Sequence, residues 1–306
     1  MRIILINQCS LVVSSCDKYE TAWYPYFELI IKYWKDHPKE IYLISETKSY
    51  YHERLQIHCV NPGIQTTWSE RLYQCLSQIK TKYIIFSLED FFLLAPVRSN
   101  RIEECLSWMN ENPDIAECRL AVSNDPALIP TNEYRDFYIA GNTVAYRLDT
   151  QFAIWNKEAL MSFLVLSENP WQFEEIGTKR ILNSKKIFLW KYAENDFDLD
   201  NMVVPYRINQ QYGFGIAWGN WLWNDKKWFE ENGIYNVNYR KLGMLSKRCV
   251  QRRFKYLYQQ NTDTVGTVIQ YIFRLIVKFK KCFQNIRIYG WKQGLKVSMC
   301  SFLSNK

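Results

Sequence analysis

The sequence predicts an α/β protein built on a mainly parallel, doubly wound central sheet. Three observations carry that expectation. Short apolar runs rich in β-branched and aromatic residues alternate with stretches of helical periodicity along the first half of the chain. One of those runs, Tyr83-Ile84-Ile85-Phe86, has no polar position, as a strand covered on both faces requires. Several helix starts also carry recognisable caps.

Taken in order, Leu11 to Ser15 reads as a strand that ends at Cys16-Asp17-Lys18-Tyr19. Thr21 to Trp34 is a helix with Trp23, Phe27, Ile30, Ile31 and Trp34 on its inner face, and Pro38 closes it. Ile41–Ile44 and Leu55–Val60 are further strands. Thr67 and Glu70 have the spacing of a capping box, so a helix follows, with Leu72, Leu76 and Ile79 recurring at helical spacing up to Lys80. The Tyr83 strand then delivers two adjacent carboxylates, Glu89 and Asp90, to its end. Beyond Pro96 the pattern gives a helix around Ile102 to Met109 and a strand from Ile115 to Val122. Thr143 to Leu148 and Phe152 to Trp155 read as sheet residues. Asn156 caps a helix over 157–163, and Asn169 with Pro170 starts another, which sets Glu174 and Glu175 in its first two turns. Lys186 to Tyr192 is a last strand, and the Gly- and Trp-rich stretch from Gly213 to Trp221 is a loop or a loop-flanked strand.

Adjacent acids at a strand tip face water, cap the following turn, or meet a cation, because a buried charge without a partner is costly. Mg²⁺ and Mn²⁺ take oxygen ligands, often one or two carboxylates with substrate phosphates. At the carboxyl end of an α/β strand that combination points to a nucleotide-diphosphate ligand.

Charge divides the chain. From Arg240 onward fifteen Lys and Arg stand against one acid, Asp263, so this part carries +14 and the part before it −6, within a total of +8. Residues 1–240 therefore read as the α/β domain and 241–306 as a basic helical tail. Within the tail Ile269, Ile272, Phe273, Ile276, Phe279 and Phe283 share one helical face, opposite Arg274, Lys278 and Lys281. That is the pattern of a helix lying on an anionic membrane surface, or of one packed on the α/β domain with a solvated basic face, and its apolar side argues against nucleic acid as the partner. No run reaches the ~18 apolar residues of a spanning helix. The nine cysteines are odd in number and contain no C-x-x-C pair, which disfavours a disulfide framework or a zinc site. A cytoplasmic protein, peripheral on the inner face of a bacterial membrane, is the expected setting. His37, His52 and His58 lack metal-ligand spacing.

The phrases SSCDKY, WSERL, LEDFFL, QFAIWNKEAL and ENPWQFE, between Leu11 and Arg180, resemble nucleotide-sugar glycosyltransferases of the GT-A fold. The nearest resemblance is to the family-2-like enzymes of bacterial capsule and lipopolysaccharide gene clusters. It implies a GT-A-like, Rossmann-like sheet and a nucleotide-sugar donor bound by Ser15, Asp17, Arg71, Glu89 and Asp90. A divalent cation, Mn²⁺ or Mg²⁺, would lie on Asp90 and Glu89. The motif departs from Asp-x-Asp, because position 91 is Phe91. The resemblance also places the base for the acceptor hydroxyl at Glu174, with Glu175 and then Glu168 as alternatives, and a sugar or acceptor cleft at Gln151, Trp155 and Trp171. Inverting transfer to a polysaccharide or lipid-linked glycan is the implied reaction. The rival reading keeps the fold as a non-catalytic carbohydrate-binding subunit of a polysaccharide assembly system.

Overall fold

The computed structural model describes residues 5–194, 199–206 and 215–252. The chain divides into two compact units, Met1–Leu245 and Ser246–Lys306. The amphipathic pattern from Val265 to Phe283, with the membrane role expected of it, lies outside the described residues. Among the described residues no helix is long and apolar enough to cross a membrane.

The first unit opens with β1 (Cys9–Ser14), α1 (Glu20–Tyr33), β2 (Ile41–Ile44), β3 (Ile57–Val60), α2 (Trp68–Gln78) and β4 (Tyr83–Leu88). The Thr67–Glu70 capping box forms as the spacing predicts, each residue satisfying the other's backbone N–H. Then come α3 (Ser99–Glu111), β5 (Ile115–Ser123), β6 (Leu128–Ile129), β7 (Phe137–Ala140), β8 (Ala153–Asn156) and α4 (Lys157–Phe163), capped by Asn156. A helical run follows as α5 (Pro170–Gln172), a π-helical turn over Phe173–Gly177 and α6 (Thr178–Arg180). Asn169 and Gln172 cap each other at its start. The unit closes with β9 (Ile187–Tyr192), β10 (Ile216–Ala217), β11 (Asn220–Leu222), α7 (Asp225–Glu231) and β12 (Met244–Leu245).

Among the described residues nine strands form one sheet in the order β3-β2-β1-β4-β8-β5-β9-β7-β6. It is parallel along β3-β2-β1-β4 and again between β5 and β9. β8 runs antiparallel to both of its neighbours, β4 and β5, and β7 runs antiparallel to β6 and β9. The α/β class is as expected, and the purely parallel region is its N-terminal half. Both sheet faces are covered. Leu11, Val13, Ile41, Leu43 and Ile85 pack beneath α1 and α3, whereas Val12, Ile44, Ile84 and Phe86 pack beneath α2 and α4. The strand runs are apolar throughout for this reason.

One expectation about the strands is corrected. Thr143 to Leu148 is a chain of turns, not a strand: Val144 N–H bonds back to the Gly141 carbonyl, Tyr146 adopts φ 53°, and Leu148 N–H donates to the Thr178 hydroxyl. The strand of this region is instead β7, where Phe137, Tyr138 and Ile139 pair with β9.

Candidate active site at the reversal of strand order

β1 has β2 on one side and β4 on the other, and the chain leaves it for β2 and β3 before returning to β4. The strand order therefore reverses between β1 and β4, and a ligand crevice forms at the carboxyl ends of strands at such a point. Ser14 of β1 is in register with Leu88 of β4, so Ser15–Asp17 and Glu89–Asp90 leave the sheet side by side.

Ser15 is locked by its neighbours: the Trp23 indole donates to its hydroxyl at 2.7 Å. Ser14 is held in the same way by Trp68 at 2.9 Å. The Asp17 carboxylate closes the loop after β2. It accepts from the backbone N–H of Glu46 (3.2 Å), Thr47 (3.0 Å) and Lys48 (3.0 Å), and from the Thr47 hydroxyl. Burial pushes this carboxyl up, but the Thr47 hydroxyl and the three N–H groups outweigh it and hold Asp17 down at about 2. Glu46 reciprocates, accepting the Asp17 N–H with one oxygen and pairing with Arg71 through the other at 3.2 Å. The Arg71 guanidinium is buried, donates to the Thr66 carbonyl at 2.7 Å and leaves its Nε without a partner. Lys48 and Lys241 both reach Glu20 at the rim, and Lys241 also reaches the Asp17 carbonyl at 3.3 Å.

The acidic pair lies deeper. Glu89 is buried, and burial, then the adjacent Asp90 charge, raise its carboxyl well above the usual range. Asp90 is half-buried; desolvation raises it to about 7, and its Oδ1 is sealed from solvent with no hydrogen-bond partner. An orphaned carboxylate oxygen beside a second carboxyl fits a hard cation completed by ligand oxygens. Among the described residues no group of three or more His, Cys, Asp or Glu could enclose a metal by itself.

Glu174 sits in the π-helical turn, where its Oε1 accepts from the Thr150 N–H (3.0 Å) and hydroxyl (2.7 Å). The neighbouring Gln151 accepts the Tyr206 hydroxyl at 2.8 Å, and Tyr206 stacks on Phe91, 4.5 Å between ring centres, directly after the acidic pair. The phenol lies close enough to Asp90 and Asp149 to feel both charges, although burial is the main reason it is raised. Tyr206 thus joins the loop that holds Glu174 to the tip of β4. Beneath them Arg119 pairs with Asp149 at 2.9 Å and covers the Trp190 ring at 4.2 Å; burial raises the Asp149 carboxyl, opposed by Arg119.

The remaining residues separate. Glu175 points into solvent. Glu168 is buried in a two-pronged pair with Arg180 (2.8 and 3.0 Å), a fastening of one turn to the next. Trp155 was expected at the cleft; it is corrected to the core, 1% exposed, because β8 is an interior strand and its ring meets Phe163 and Phe188. Trp171 lies at the other extreme, 71% exposed on α5. Glu46 and Tyr206 are the residues the sequence reading missed. Glu46 carried a signal, a carboxylate just past the end of a predicted strand, whereas Tyr206 has no motif around it.

No protein-family model matches the chain, and no curated protein matches it. Among solved structures it is similar to the crystal structure of S. aureus TarS 1-349 in complex with UDP (13% identity, TM-score 0.41, 60% of either chain). It is similar also to CMP:2-keto-3-deoxy-manno-octonic acid synthetase complexed with CTP (11%, 0.38, 60% of this chain and 89% of that one). A third is a cytidylyltransferase from Leptospira borgpetersenii (9%, 0.39, 67% and 84%). The chain spans about three fifths of TarS 1-349. Similarity this distant says nothing of chemistry, which has to come from the site itself.

Proposed function

We propose that the protein is a glycosyltransferase that moves a sugar from a nucleotide-diphosphate donor to a polysaccharide or lipid-linked glycan. The observation that carries this reading is the sequestered Glu89–Asp90 pair, with its unpartnered oxygen, at the reversal of strand order beside Ser15–Asp17. The resemblance of the SSCDKY, LEDFFL and ENPWQFE phrases to GT-A enzymes agrees with it.

In this reading Asp90 and Glu89 hold Mn²⁺ or Mg²⁺, which when bound supplies positive charge against a diphosphate leaving group. The chain does the rest. The turn at Ser15–Asp17, kept in shape by Glu46 and the Thr47–Lys48 backbone, receives the nucleotide. Arg71, Lys48 and Lys241 add positive charge around that end. Glu174 takes the proton of the acceptor hydroxyl. Its Oε1 is fixed by Thr150, which orients the carboxylate and leaves Oε2 to act as the base. A base set apart from the leaving-group site is what a single, inverting displacement needs.

The experiment is a thermal-shift screen of nucleotide sugars with Mn²⁺, followed by product analysis with the donor that binds. A ligand of the native state raises the melting temperature. The reading predicts a shift with one donor class that Asp90→Asn removes, and turnover that Glu174→Gln removes while the donor still binds. No shift from any donor overturns it; sugar binding without turnover supports the carbohydrate-binding subunit instead.

A further inference from the structure

Four consecutive residues on the approach to β8 are each tied to a different element. Leu148 N–H bonds the Thr178 hydroxyl, one turn beyond Glu174. Asp149 pairs with Arg119 of β5, Thr150 grips the Glu174 carboxylate, and Gln151 accepts the Tyr206 hydroxyl. The Asp149 carboxylate also acts inside the turn. Its Oδ1 accepts the Gln151 N–H at 2.8 Å, while Oδ2 meets the Arg119 guanidinium at 2.9 Å. An arginine on an interior strand therefore fixes the side chain that closes the turn around Thr150.

Arg119 is itself held from two directions. Its guanidinium lies over the Trp190 ring, 4.2 Å from the centre, and the indole N–H of that ring donates to the Glu117 carboxylate at 3.3 Å. Directly after Arg119 the pairing of β5 with β9 breaks. Arg119 stands opposite Trp190 and Val122 opposite Lys191, so Leu120 and Ala121 are extra. Both extra N–H groups converge on the Phe152 carbonyl, at 2.8 and 3.3 Å. A bulge bends its strand and re-aims a neighbouring side chain, and such irregularities gather beside active sites. Here β5 is fastened to both ends of the turn, at Asp149 and at Phe152.

Stability is a poor reason for this arrangement. The Asp149 side chain is 5% exposed and that of Arg119 15%, and the Arg119 Nε is sealed from solvent without a partner. Desolvating two charges offsets most of their attraction, so an apolar pair of the same volume would serve the core as well. What the ion pair adds is direction, because a planar guanidinium stacked on a ring presents its N–H groups to one place.

We propose that Arg119 is a positioning residue: through Asp149 it sets the turn from which Thr150 aims the Glu174 carboxylate at the acceptor hydroxyl. The inference rests on the transferase reading, in which Glu174 is the base. In this role Arg119 needs no contact with donor or acceptor.

The test is a double-mutant cycle on the full chain with the donor that supports turnover. Arg119→Met should lower kcat by about 10- to 100-fold, the cost of a base displaced by about 1 Å, with the donor KM and the donor-induced melting shift unchanged. Arg119→Lys keeps the charge but not the planar fork, and should recover only part of the loss. In a Glu174→Gln background Arg119→Met should have no further effect on the residual rate, because the base it aims is already gone. Arg119→Met alone leaves Asp149 buried and unpaired, so Arg119→Met with Asp149→Asn is measured beside it. That pair should fold with a melting temperature near wild type and show the same loss of kcat. Hydrogen exchange read by mass spectrometry is independent of turnover: amide protection across 148–152 should fall in both variants. A folded variant with wild-type kcat overturns the proposal, as does an equal fold-loss in the Glu174→Gln background or unchanged protection over 148–152. Absence of turnover by the wild type overturns the transferase reading and takes the proposal with it. Failure of that reading thus shows in the wild type, and failure of the proposal in the variants alone.

Discussion

Glu46 Oε1 lies 3.2 Å from Arg71 Nη2, and the other oxygen of the same carboxylate accepts the Asp17 N–H. One side chain therefore sets both the turn after β1 and the direction of the arginine on α2. Both partners are largely shielded, so the pair is worth more than a surface ion pair. Glu46→Gln can keep the Asp17 contact but leaves Arg71 without a counter-charge. We expect a loss of about 1–3 kcal/mol in a urea titration, and Arg71→Met in the same background should recover part of it.

Asp17 gives a pH dependence of definite sign. Its carboxyl is lowered to about 2 in the folded chain from 3.8, so the folded state binds the proton less readily than the unfolded one. The contribution is complete above about pH 4 and is lost as pH falls through about 2. Asp17→Asn, which retains an acceptor for the loop N–H groups, should cost about 1 kcal/mol at pH 7. The difference between variant and wild type should shrink on acidification, read from denaturant midpoints at each pH. A difference independent of pH would mean that the carboxylate is not what holds the loop.

The acidic residues of the 168–175 region should behave differently from one another. Glu174→Gln is expected to reduce turnover by 10²-fold or more while barely moving the melting temperature, as removal of a general base does. Glu168→Gln should do the reverse and destabilise by about 3 kcal/mol, because Arg180 is left without its carboxylate. Glu175→Gln should be close to silent in both measurements.

The two tryptophans divide in the same way. Trp155→Ala removes a ring packed between Phe163 and Phe188 and should cost about 3–5 kcal/mol. Trp171→Ala should stay within about 0.5 kcal/mol of wild type. Calorimetry on the two variants decides between a core and a surface role for each.

What could be read in advance follows from how local the signal is. The caps at Thr67, Asn156 and Asn169 formed as their spacing predicts, because a cap is settled by residues three positions apart. The apolar strands were legible because both faces are buried. The antiparallel insertion of β8 was not, since Ala153–Asn156 is equally apolar whichever way it runs, and its direction is fixed by β4 and β5. Trp155 was carried to the cleft by the resemblance alone, and the sheet order shows that it has no open side. Glu89 and Asp90 were visible as a pair, whereas Tyr206 joins them to the Glu174 loop from more than a hundred residues away, a contact no window of sequence contains.

The π-helical turn at Phe173–Gly177 gives this part of the chain one residue more than a regular helix would need. Such a turn holds one residue more than an α turn, and each residue of an α-helix advances the chain by about 100°. Deleting a single residue there would let the segment close into an α turn of nearly the same rotation, so Arg180 and Ile181 would keep their facing and Arg180 its pair with Glu168. Related chains should therefore accept a one-residue gap between positions 173 and 177 more readily than elsewhere in the helical run.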